Sequence, residues 1–355
     1  MTLQVIKCTD FRCLRSVEFA PDPQFTLICG PNASGKTSIL EAVAYLGRGR
    51  SFRGASAAEL VRHGTDEFVL FGRVDNGARE VSLGVRNSKA GLEIQVAGQR
   101  GSGAARLAEE LPLQVIDPDV HELVAGGPEM RRRYIDWIAF PVEHGYLEQW
   151  RRFRRALKQR NAALKSGGRG QAIAGWDKEL AETGELLNEA RLRVLEISMP
   201  ALEEAATALL DGVVELSYQR GWAADKTLAE SLAANPEREQ QAGSTQSGPQ
   251  RADLRLDYED HRAKKKVSRG QQKLLACVLV LAAAEVVQTH LERPLLLLLD
   301  DPAAELDGAS LERLMGAVCN LGCQVIATSL EQNPALFPEK PRLFHVEQGQ
   351  ISSAD

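Results

Sequence analysis

The sequence lacks the features that would place the chain in a membrane or a secretory pathway. Its start, MTLQVIKCTDF, has no charged segment leading into an apolar run, so we expect no secretory signal. The longest apolar run, residues 274–284, is too short to span a bilayer. No repeat with a period of about 20–50 residues is visible, which argues against a solenoid or a propeller. We therefore expect a soluble, cytoplasmic protein that has no membrane partner.

Cysteine is scarce, and its spacing excludes a familiar zinc site. The 355 residues include six cysteines, none of them in a CxxC pair. Cys319 and Cys323 form a CxxxC pair, but no second cysteine pair or nearby histidine pair would complete the ligand set. We expect buried free thiols in a reducing cytosol.

The chain also lacks the excess of positive charge that a protein coating nucleic acid would show. Its formal net charge is −5. The basic residues are nevertheless clustered, which leaves room for a local DNA-facing surface. The four clusters are Arg48, Arg50 and Arg53; Arg131, Arg132 and Arg133; Arg151, Arg152, Arg154 and Arg155; and Lys264, Lys265 and Lys266.

The apolar pattern predicts an α/β domain split by a helical insertion. Residues 1–30 read as strands, and residues 67–100 alternate apolar and polar residues, as antiparallel strands do. From about residue 129 the pattern is helical, with two apolar stripes that we expect to pack together and that are too short for a long coiled-coil arm. We predict an ATPase domain at 1–116 plus 252–355, and an inserted, mainly helical lobe at 117–251.

A phosphate-binding loop follows the apolar strand at residues 25–29. The segment fits GxxxxGK[ST] and leads into a helix, so its backbone N–H groups can surround a phosphate. Lys36 is expected to reach the terminal phosphates of ATP, and Thr37 to ligate Mg²⁺. The predicted nucleotide-binding residues here are Gly30, Pro31, Asn32, Ala33, Ser34, Gly35, Lys36, Thr37 and Ser38.

Five leucines at 295–299 predict a buried parallel strand that ends at two carboxylates. We assign Asp300 to Mg²⁺. Asp301 is the candidate to orient the water that attacks ATP. Because an acidic helix cap after a core strand would look the same, the phosphate-binding loop is what favours this assignment.

A third motif, VSRGQQ, lies 32 residues before Asp300 and opens a long helix. It resembles the ABC signature, usually LSGGQ, which completes a nucleotide pocket on the opposing subunit in that class. Ser268, Gly270 and Gln271 are the predicted contacts, and a helix N-terminus suits an anion. The resemblance implies an ABC-type P-loop ATPase head: a mixed sheet with an antiparallel subdomain and the inserted lobe.

Five further residues are compared with the ABC class. Glu305, Leu306 and Asp307 resemble its D-loop. Thr328 stands where that class places a switch histidine. Gln114 is a candidate Q-loop glutamine, and an ordinary glutamine on an edge strand is an equally good interpretation.

Longer segments resemble the RecF family of bacterial DNA-repair ATPases. They are PDVHELVAGGPEMRRRYID at 118–136, GRSFR at 49–53, LKQRN at 157–161 and LLDDPAAELD at 298–307. Two positions depart from the family pattern, Ser310 where a basic residue is usual and Gln250 where histidine is frequent. Neither is predicted to touch the phosphates.

The resemblance implies an ATP-dependent homodimer that clamps DNA at single-strand/double-strand junctions. With RecR and RecO it would promote loading of RecA at gaps. A weak, DNA-stimulated ATPase activity would release the DNA, slowly because Asp301 is one methylene shorter than the usual glutamate. The alternative is another SMC-like or ABC-type ATPase subunit that does not act on DNA gaps.

Overall fold

The computed structural model describes residues 1–101, 103–168, 171–234, 236–259, 261–304, 306–333 and 337–354. Packing divides the chain into two compact units. The first comprises Met1–Val120 and Cys277–Asp355, and the second comprises His121–Ala276.

The elements follow one another in three stretches. The first stretch contains β1 (Thr2–Phe11), β2 (Leu14–Phe19), β3 (Phe25–Cys29), α1 (Lys36–Arg48), α2 (Ala57–Leu60), β4 (Phe68–Asp75), β5 (Glu80–Ser88), β6 (Gly91–Val96), β7 (Gln99–Arg100), α3 (Ala104–Glu110) and β8 (Leu113–Ile116). The second contains α4 (Glu122–Ala125), α5 (Pro128–Val142), α6 (Tyr146–Lys165), α7 (Gln171–Leu209), β9 (Val214–Gln219), α8 (Leu228–Ala233), α9 (Pro236–Ala242), β10 (Asp253–Tyr258), β11 (His261–Arg262) and α10 (Ala263–Lys266). After α11 (Arg269–Leu291) come β12 (Leu296–Leu299), α12 (Gly308–Asn320), β13 (Gln324–Ser329), β14 (Arg342–Glu347) and β15 (Gln350–Ser353).

A mixed six-stranded sheet forms the centre of unit 1, in the order β15-β14-β3-β13-β12-β8. All neighbours are parallel except β14 and β15. Every residue of β3, β12 and β13 is buried, which explains why β12 is a continuous run of leucines and why apolar and polar residues do not alternate in β3 and β13. The carboxyl ends of the parallel strands meet at one edge, where open α/β sheets bind ligands.

A second six-stranded sheet in unit 1 is antiparallel, in the order β2-β1-β4-β5-β6-β7. Its apolar face and α1 belong to one core that also includes Leu296 and Leu298 of β12. Helix α1 approaches this sheet closely at Gly72 of β4, where a Cβ would lie 2.4 Å from Leu46 Cδ2. The predicted fold class, an ABC-type head with a mixed sheet and an antiparallel subdomain, is confirmed.

Unit 2 is mainly helical and also contains a three-stranded sheet that the sequence pattern did not predict. The expected packing of α6 against α7 is confirmed by ion pairs of Arg152 with Glu179 at 2.8 Å and of Arg160 with Asp177 at 2.7 Å. The sheet has the order β11-β10-β9.

The sequence predicts that the ATPase domain resumes at residue 252. In the structure the second boundary between the units lies later, between Ala276 and Cys277. Residues 252–276 pack with unit 2. The physical reason is strand pairing, because β10 pairs with β9 over six positions, from Asp253 opposite Gln219 to Tyr258 opposite Val214. The limits of the functional ATPase domain stay a prediction.

Helix α11 is long enough and apolar enough, by length and composition alone, to cross a membrane. Most of its apolar stretch is nevertheless buried inside the protein. A core helix of a globular domain has the same character.

The basic cluster at 131–133 makes internal contacts in unit 2. Arg131 is 5% exposed; it bonds to Asp253 at 2.7 and 3.2 Å and donates to the carbonyl of Gly126 at 3.1 Å. Arg132 donates to the carbonyl of Ala252 at 2.8 Å. Arg133 is exposed and pairs with Glu129, one helical turn away. For Arg131 and Arg132 the structure therefore favours internal contacts over contact with DNA.

Replacing Arg131 by Met should therefore destabilise unit 2 by about 3 kcal/mol, because a half-buried carboxylate and several carbonyls lose their donor. The measurement is chemical denaturation followed by circular dichroism. The matched control is Arg133→Ala on the same helix, which should change the free energy of unfolding by less than about 0.5 kcal/mol. Equal effects of the two changes would contradict a structural role for Arg131.

Candidate nucleotide site

The loop at 30–37 joins β3 to α1 and needs its glycines for different reasons. At Gly30 a Cβ would lie 2.2 Å from the carbonyl oxygen of Val346, so only glycine fits. Gly35 adopts φ 114, a conformation that side chains oppose. The backbone N–H of Gly349, in the β14–β15 turn, donates to the carbonyl of Ser34 at 2.8 Å and holds the loop.

The N-terminus of α1 is arranged to receive an anion. Gly35 caps the helix without a side-chain bond, and the first turn contains no acidic residue. The helix dipole and its N–H groups therefore favour a negative group here. Within the described chain, the buried hydroxyl of Ser34 has no hydrogen-bond partner. A phosphate oxygen would satisfy it.

Lys36 is the cation of this loop. It is 8% exposed, and its ammonium donates to the carbonyls of Gly30 at 2.7 Å and Pro31 at 2.9 Å. Burial lowers the pKa of Lys36, and the negative charges of Asp301 and Asp300 oppose that change.

Asp300 lies at the end of β12 and is held by two hydroxyls. Thr37 donates to its Oδ1 at 3.0 Å, and Thr328, at the end of β13, donates to the same oxygen at 2.7 Å. Burial raises the pKa of the Asp300 carboxyl, whereas the bonds from Thr328 and Thr37 and the charge of Arg53 lower it. The structure thus brings Thr37 and Asp300, the two predicted metal ligands, into direct contact.

Asp301 is half-buried and has a left-handed backbone, with φ 48. Its N–H donates to the hydroxyl of Thr328 at 3.0 Å. Asp tolerates this region better than most residues, and such outliers cluster at functional sites. Thr328 therefore fixes both acidic residues, a role that the sequence interpretation, which looked only for a histidine there, did not assign.

The other predicted positions of this segment are partly or fully exposed. Asn32 is exposed. Ser38 accepts a hydrogen bond from the thiol of Cys13 at 3.5 Å. Cys13 is exposed, so the expectation that the thiols are buried is wrong at this position, which lies in the turn between β1 and β2. Ala33 adopts φ 61, which shows that the loop curves sharply even at a residue that is not glycine.

Gln114 is buried in β8, opposite Leu297 in the sheet register. Its amide oxygen accepts a hydrogen bond from Arg48 at 3.1 Å. This geometry supports the interpretation as an ordinary strand residue, and a role in a Q-loop stays a prediction.

The signature residues belong to unit 2, where they form the start of α11. Ser268 and Gln271 make reciprocal bonds: the N–H of Ser268 donates to the Gln271 side chain at 3.1 Å, and the N–H of Gln271 donates to the Ser268 hydroxyl at 3.3 Å. This is a capping box. Ser268 is exposed and Gly270 is partly exposed, so the helix N-terminus remains accessible.

In the predicted D-loop, Glu305 lies outside the described residues. Asp307 is the N-cap of α12 and accepts a hydrogen bond from the N–H of Ser310 at 2.8 Å. The Ser310 hydroxyl also donates to Asp307 at 3.1 Å. This capping contact gives the departure from the family pattern at Ser310 a local structural role.

A buried ionic contact behind the loop was missing from the sequence interpretation. Glu41, on α1, is fully buried and receives two bonds from Arg12, at 2.8 and 3.0 Å, and one from the Ser51 hydroxyl. Ser51 also accepts the N–H of Arg53 at 3.0 Å. The contact thereby fixes the segment whose Arg53 charge acts on Asp300. A carboxylate inside the apolar run ILEAVAYL was the available signal.

Asp117 was also missed, although it follows β8 directly. The N–H of Asp300 donates to the carbonyl of Ile116 at 2.8 Å, so the two strand ends are adjacent. Burial, followed by the charges of Asp119 and Asp300, raises the pKa of Asp117 to about 6. The signal would have been the end of a parallel strand, which the sequence pattern around Gln114 did not mark clearly.

Taken together, the donor set suits a nucleoside triphosphate with a hard divalent cation. The hydroxyl of Thr37 and the carboxylate of Asp300 are oxygen ligands of the kind that Mg²⁺ prefers. Lys36, the Ser34 hydroxyl and the α1 N-terminus supply donors for phosphate oxygens.

Comparison with known proteins agrees with this geometry. The family model described as RecF/RecN/SMC N terminal domain matches residues 2–351. A solved structure of an Smc head bound to the C-winged helix domain of ScpA has a TM-score of 0.59 at 17% identity, covering all of this chain and 98% of that one, and supports the fold alone. The fold and the paired motifs define an ATPase head of the SMC type.

Relatives of higher identity define the family within that class. The DNA replication and repair protein RecF of Erwinia tasmaniensis is 39% identical over 356 aligned positions, which cover 99% of each chain. That of Azotobacter vinelandii is 40% identical over 361 residues, covering 99% of this chain and 98% of the relative. A structure of the recombination mediator protein RecF-ATP in the RecFOR pathway has a TM-score of 0.90 at 25% identity and covers 99% of this chain and 97% of the other. The chain belongs to the RecF family.

Replacing Thr328 by Val keeps the side-chain shape and removes the hydroxyl that contacts both Asp300 and the N–H of Asp301. Because a hydrogen bond to a charged group contributes about 1.5–3 kcal/mol, the affinity for Mg²⁺ with a non-hydrolysable ATP analogue should fall about 10- to 100-fold. Titration calorimetry measures this change. Thr328→Ser, which keeps the hydroxyl, should bind close to wild type. Unchanged affinity of the Val variant would show that the hydroxyl does not position Asp300.

The raised pKa of Asp117 predicts a pH-dependent stability of the nucleotide-free protein. The folded state keeps a proton that the unfolded state loses between pH 3.8, the ordinary value, and about 6. Stability therefore falls as the pH rises through this window, and the destabilisation is complete above it. Asp117→Asn removes this destabilisation. The free energy of unfolding of the variant should therefore exceed that of wild type by about 1–2 kcal/mol near pH 7.5 and by about half as much near pH 5, allowing for partial exposure.

Thermal unfolding at the two pH values tests the Asp117 prediction. Asp225→Asn, an exposed carboxylate of unit 2, serves as the control and should leave the midpoint nearly unchanged at both. A gain for Asp117→Asn that is the same at both pH values would contradict a raised pKa.

Proposed function

We propose that the chain is an ATP-dependent DNA clamp that acts in recombinational repair. In this proposal two copies bind ATP with Mg²⁺, close on DNA at a single-strand/double-strand junction and, with RecR and RecO, promote loading of RecA at gaps. A weak, DNA-stimulated ATPase activity then releases the DNA. In this proposal the protein acts in the cytoplasm.

The observation that carries the proposal is the hydrogen-bonded series Thr37–Asp300–Thr328. It joins the phosphate-binding loop, the acidic end of β12 and the end of β13 at one edge of the parallel sheet. The N-terminus of α1, which has no side-chain cap, and the unsatisfied Ser34 hydroxyl lie in the same loop. A structural acidic cap would explain none of these additional features.

Each residue then has a role in binding or positioning. Lys36 and the helix N-terminus bind phosphate oxygens, and Thr37 with Asp300 would hold Mg²⁺. When bound, Mg²⁺ neutralises charge on the phosphates. Asp301 orients water by accepting its hydrogen bond, from a backbone that Thr328 fixes. Because its side chain is short, we expect slow turnover, which suits a timed release of DNA.

The dimer follows from the signature at the start of α11. Ser268 and Gly270 present an accessible helix N-terminus, which is a second anion site. In the proposal this site contacts the terminal phosphate of ATP bound to the other copy. ATP then joins two copies, and its hydrolysis separates them.

The choice of DNA repair as the process rests on the relatives. They are DNA replication and repair proteins, and the related structure with ATP is a recombination mediator of the RecFOR pathway. RecR and RecO are the partners that this pathway implies. RecA enters through the family resemblance.

Sedimentation with ATP, with ADP and without nucleotide tests the dimer. Wild type should dimerise only with ATP. Ser268→Asp keeps a good helix cap but places a negative charge against the phosphate, so dimer affinity should fall by about 10-fold or more. Ser268→Asn, a neutral cap of similar size, is the control and should retain most of the dimer.

The outcomes separate the parts of the proposal. A wild type that stays monomeric with ATP would contradict the clamp while leaving the nucleotide site intact. Equal dimerisation of the Asp and Asn variants would show that Ser268 does not face a phosphate. Adding gapped DNA to the same runs tests whether the dimer is the form that binds DNA.

A further inference from the structure

Helix α6 concentrates positive charge in an acidic protein. Its 20 residues include seven Lys or Arg and one acidic residue, Glu148, against a net charge of −5 for the chain. The structure divides these cations into two groups. Arg152 and Arg160 turn towards neighbouring elements, where each makes an ion pair. The others are exposed and form what we call the basic face: Arg151, Arg154, Arg155, Lys158 and Lys165.

The spacing of the basic face places its cations on one side of the helix. Residues 151, 158 and 165 are separated by seven positions, which is nearly two full turns each time. Arg154 and Arg155 lie between them at steps of three and four. The row extends over about 21 Å, at 1.5 Å per residue. This length corresponds to about six base pairs of duplex at 3.4 Å each.

Ion pairs within the described chain do not use this charge. In the part of the chain that the structure describes, no carboxylate lies within ion-pair distance of Arg151, Arg154, Arg155 or Lys158. The nearby carboxylate of Glu179 is occupied by two bonds from Arg152, at 2.8 and 2.9 Å. The guanidinium of Arg154 lies over the ring of Trp150 at 4.9 Å, a contact that restrains its position.

In the other basic clusters, some of the cations make contacts within the protein. Arg131 and Arg132 hold unit 2 together, and Lys264 donates to the carbonyl of Gly126 at 2.9 Å. Arg48 donates to β8, and the charge of Arg53 acts on Asp300. A row of cations without acidic partners is unfavourable by self-repulsion, so its natural complement is a row of fixed anions.

We propose that the basic face of α6 binds the sugar-phosphate backbone of DNA. The inference rests on the proposed function, because DNA is the polyanion that this function supplies. Contacts of this kind position a protein without reading sequence, as a protein that recognises a junction by its shape requires.

The test neutralises four cations together: Arg151→Gln, Arg154→Gln, Arg155→Gln and Lys158→Gln. Glutamine keeps helix propensity and side-chain length. Binding of the full chain with ATP to a fluorescent gapped duplex is measured by anisotropy, at salt concentrations between about 50 and 200 mM. The dissociation constant should rise about 10- to 100-fold, and the slope of its logarithm against log salt should decrease by about three.

Two control variants separate the effect of the basic face from that of net charge. Lys7→Gln, Arg86→Gln, Lys89→Gln and Arg106→Gln together remove the same charge from exposed positions of unit 1 and should shift affinity by no more than about twofold. Arg151→Lys, Arg154→Lys and Arg155→Lys together retain the charge and should restore most of the binding. ATP affinity and the thermal midpoint should stay at wild-type values in all three variants.

The outcomes distinguish this inference from the function on which it rests. Wild-type DNA affinity and salt slope in the four-glutamine variant would overturn the inference while leaving the clamp standing. An equal loss in the unit 1 control would also overturn it, since net charge alone would then be responsible. A wild type that binds vesicles containing phosphatidylserine but no DNA would refute both the DNA contact and the proposed function.

Discussion

The buried carboxylate of Asp300 is the constraint on which the nucleotide site depends. It lies at the end of a strand of leucines, where burial opposes its charge, and the hydroxyls of Thr37 and Thr328 compensate for lost water. Those two donors come from α1 and β13, so the carboxylate can be accommodated only when three parts of the chain are correctly placed. The geometry of the site and the assembly of the parallel sheet are therefore one requirement.

A second ionic contact extends this constraint away from the site. Glu41 is completely buried one turn into α1, where Arg12 and Ser51 satisfy it. The contact links the β1–β2 turn of the antiparallel sheet to the helix that begins at the phosphate-binding loop. Because removal of one partner would leave an uncompensated buried charge, the intact contact holds the surrounding backbone in place. The loop can thus remain preorganised although its own glycines are flexible.

Unit 2 uses arginine in two ways. Buried guanidiniums join helices to one another, as Arg160 and Arg191 do, or to the small sheet, as Arg131 does, since a planar group with five donors can satisfy several oxygens at once. The exposed basic face of α6 makes no comparable contacts. Helix α6 contains both kinds, the buried Arg160 and the exposed Arg151, Arg154 and Arg155, and local sequence does not distinguish them. Helix packing alone decides which side of α6 is turned inward.

The sequence by itself determined the ATPase class, the phosphate-binding loop, the two acidic residues after the leucine strand and the helical insertion. These depend on short-range rules: a glycine-rich turn, strand periodicity and helix periodicity. Only the tertiary structure showed that Thr328 fixes Asp300, that Asp117 lies beside it, that Gln114 contacts Arg48 and that residues 252–276 pack with unit 2. Each of these depends on strand register or on contacts between residues far apart in the chain, and local pattern carries no information about which distant strand becomes a neighbour.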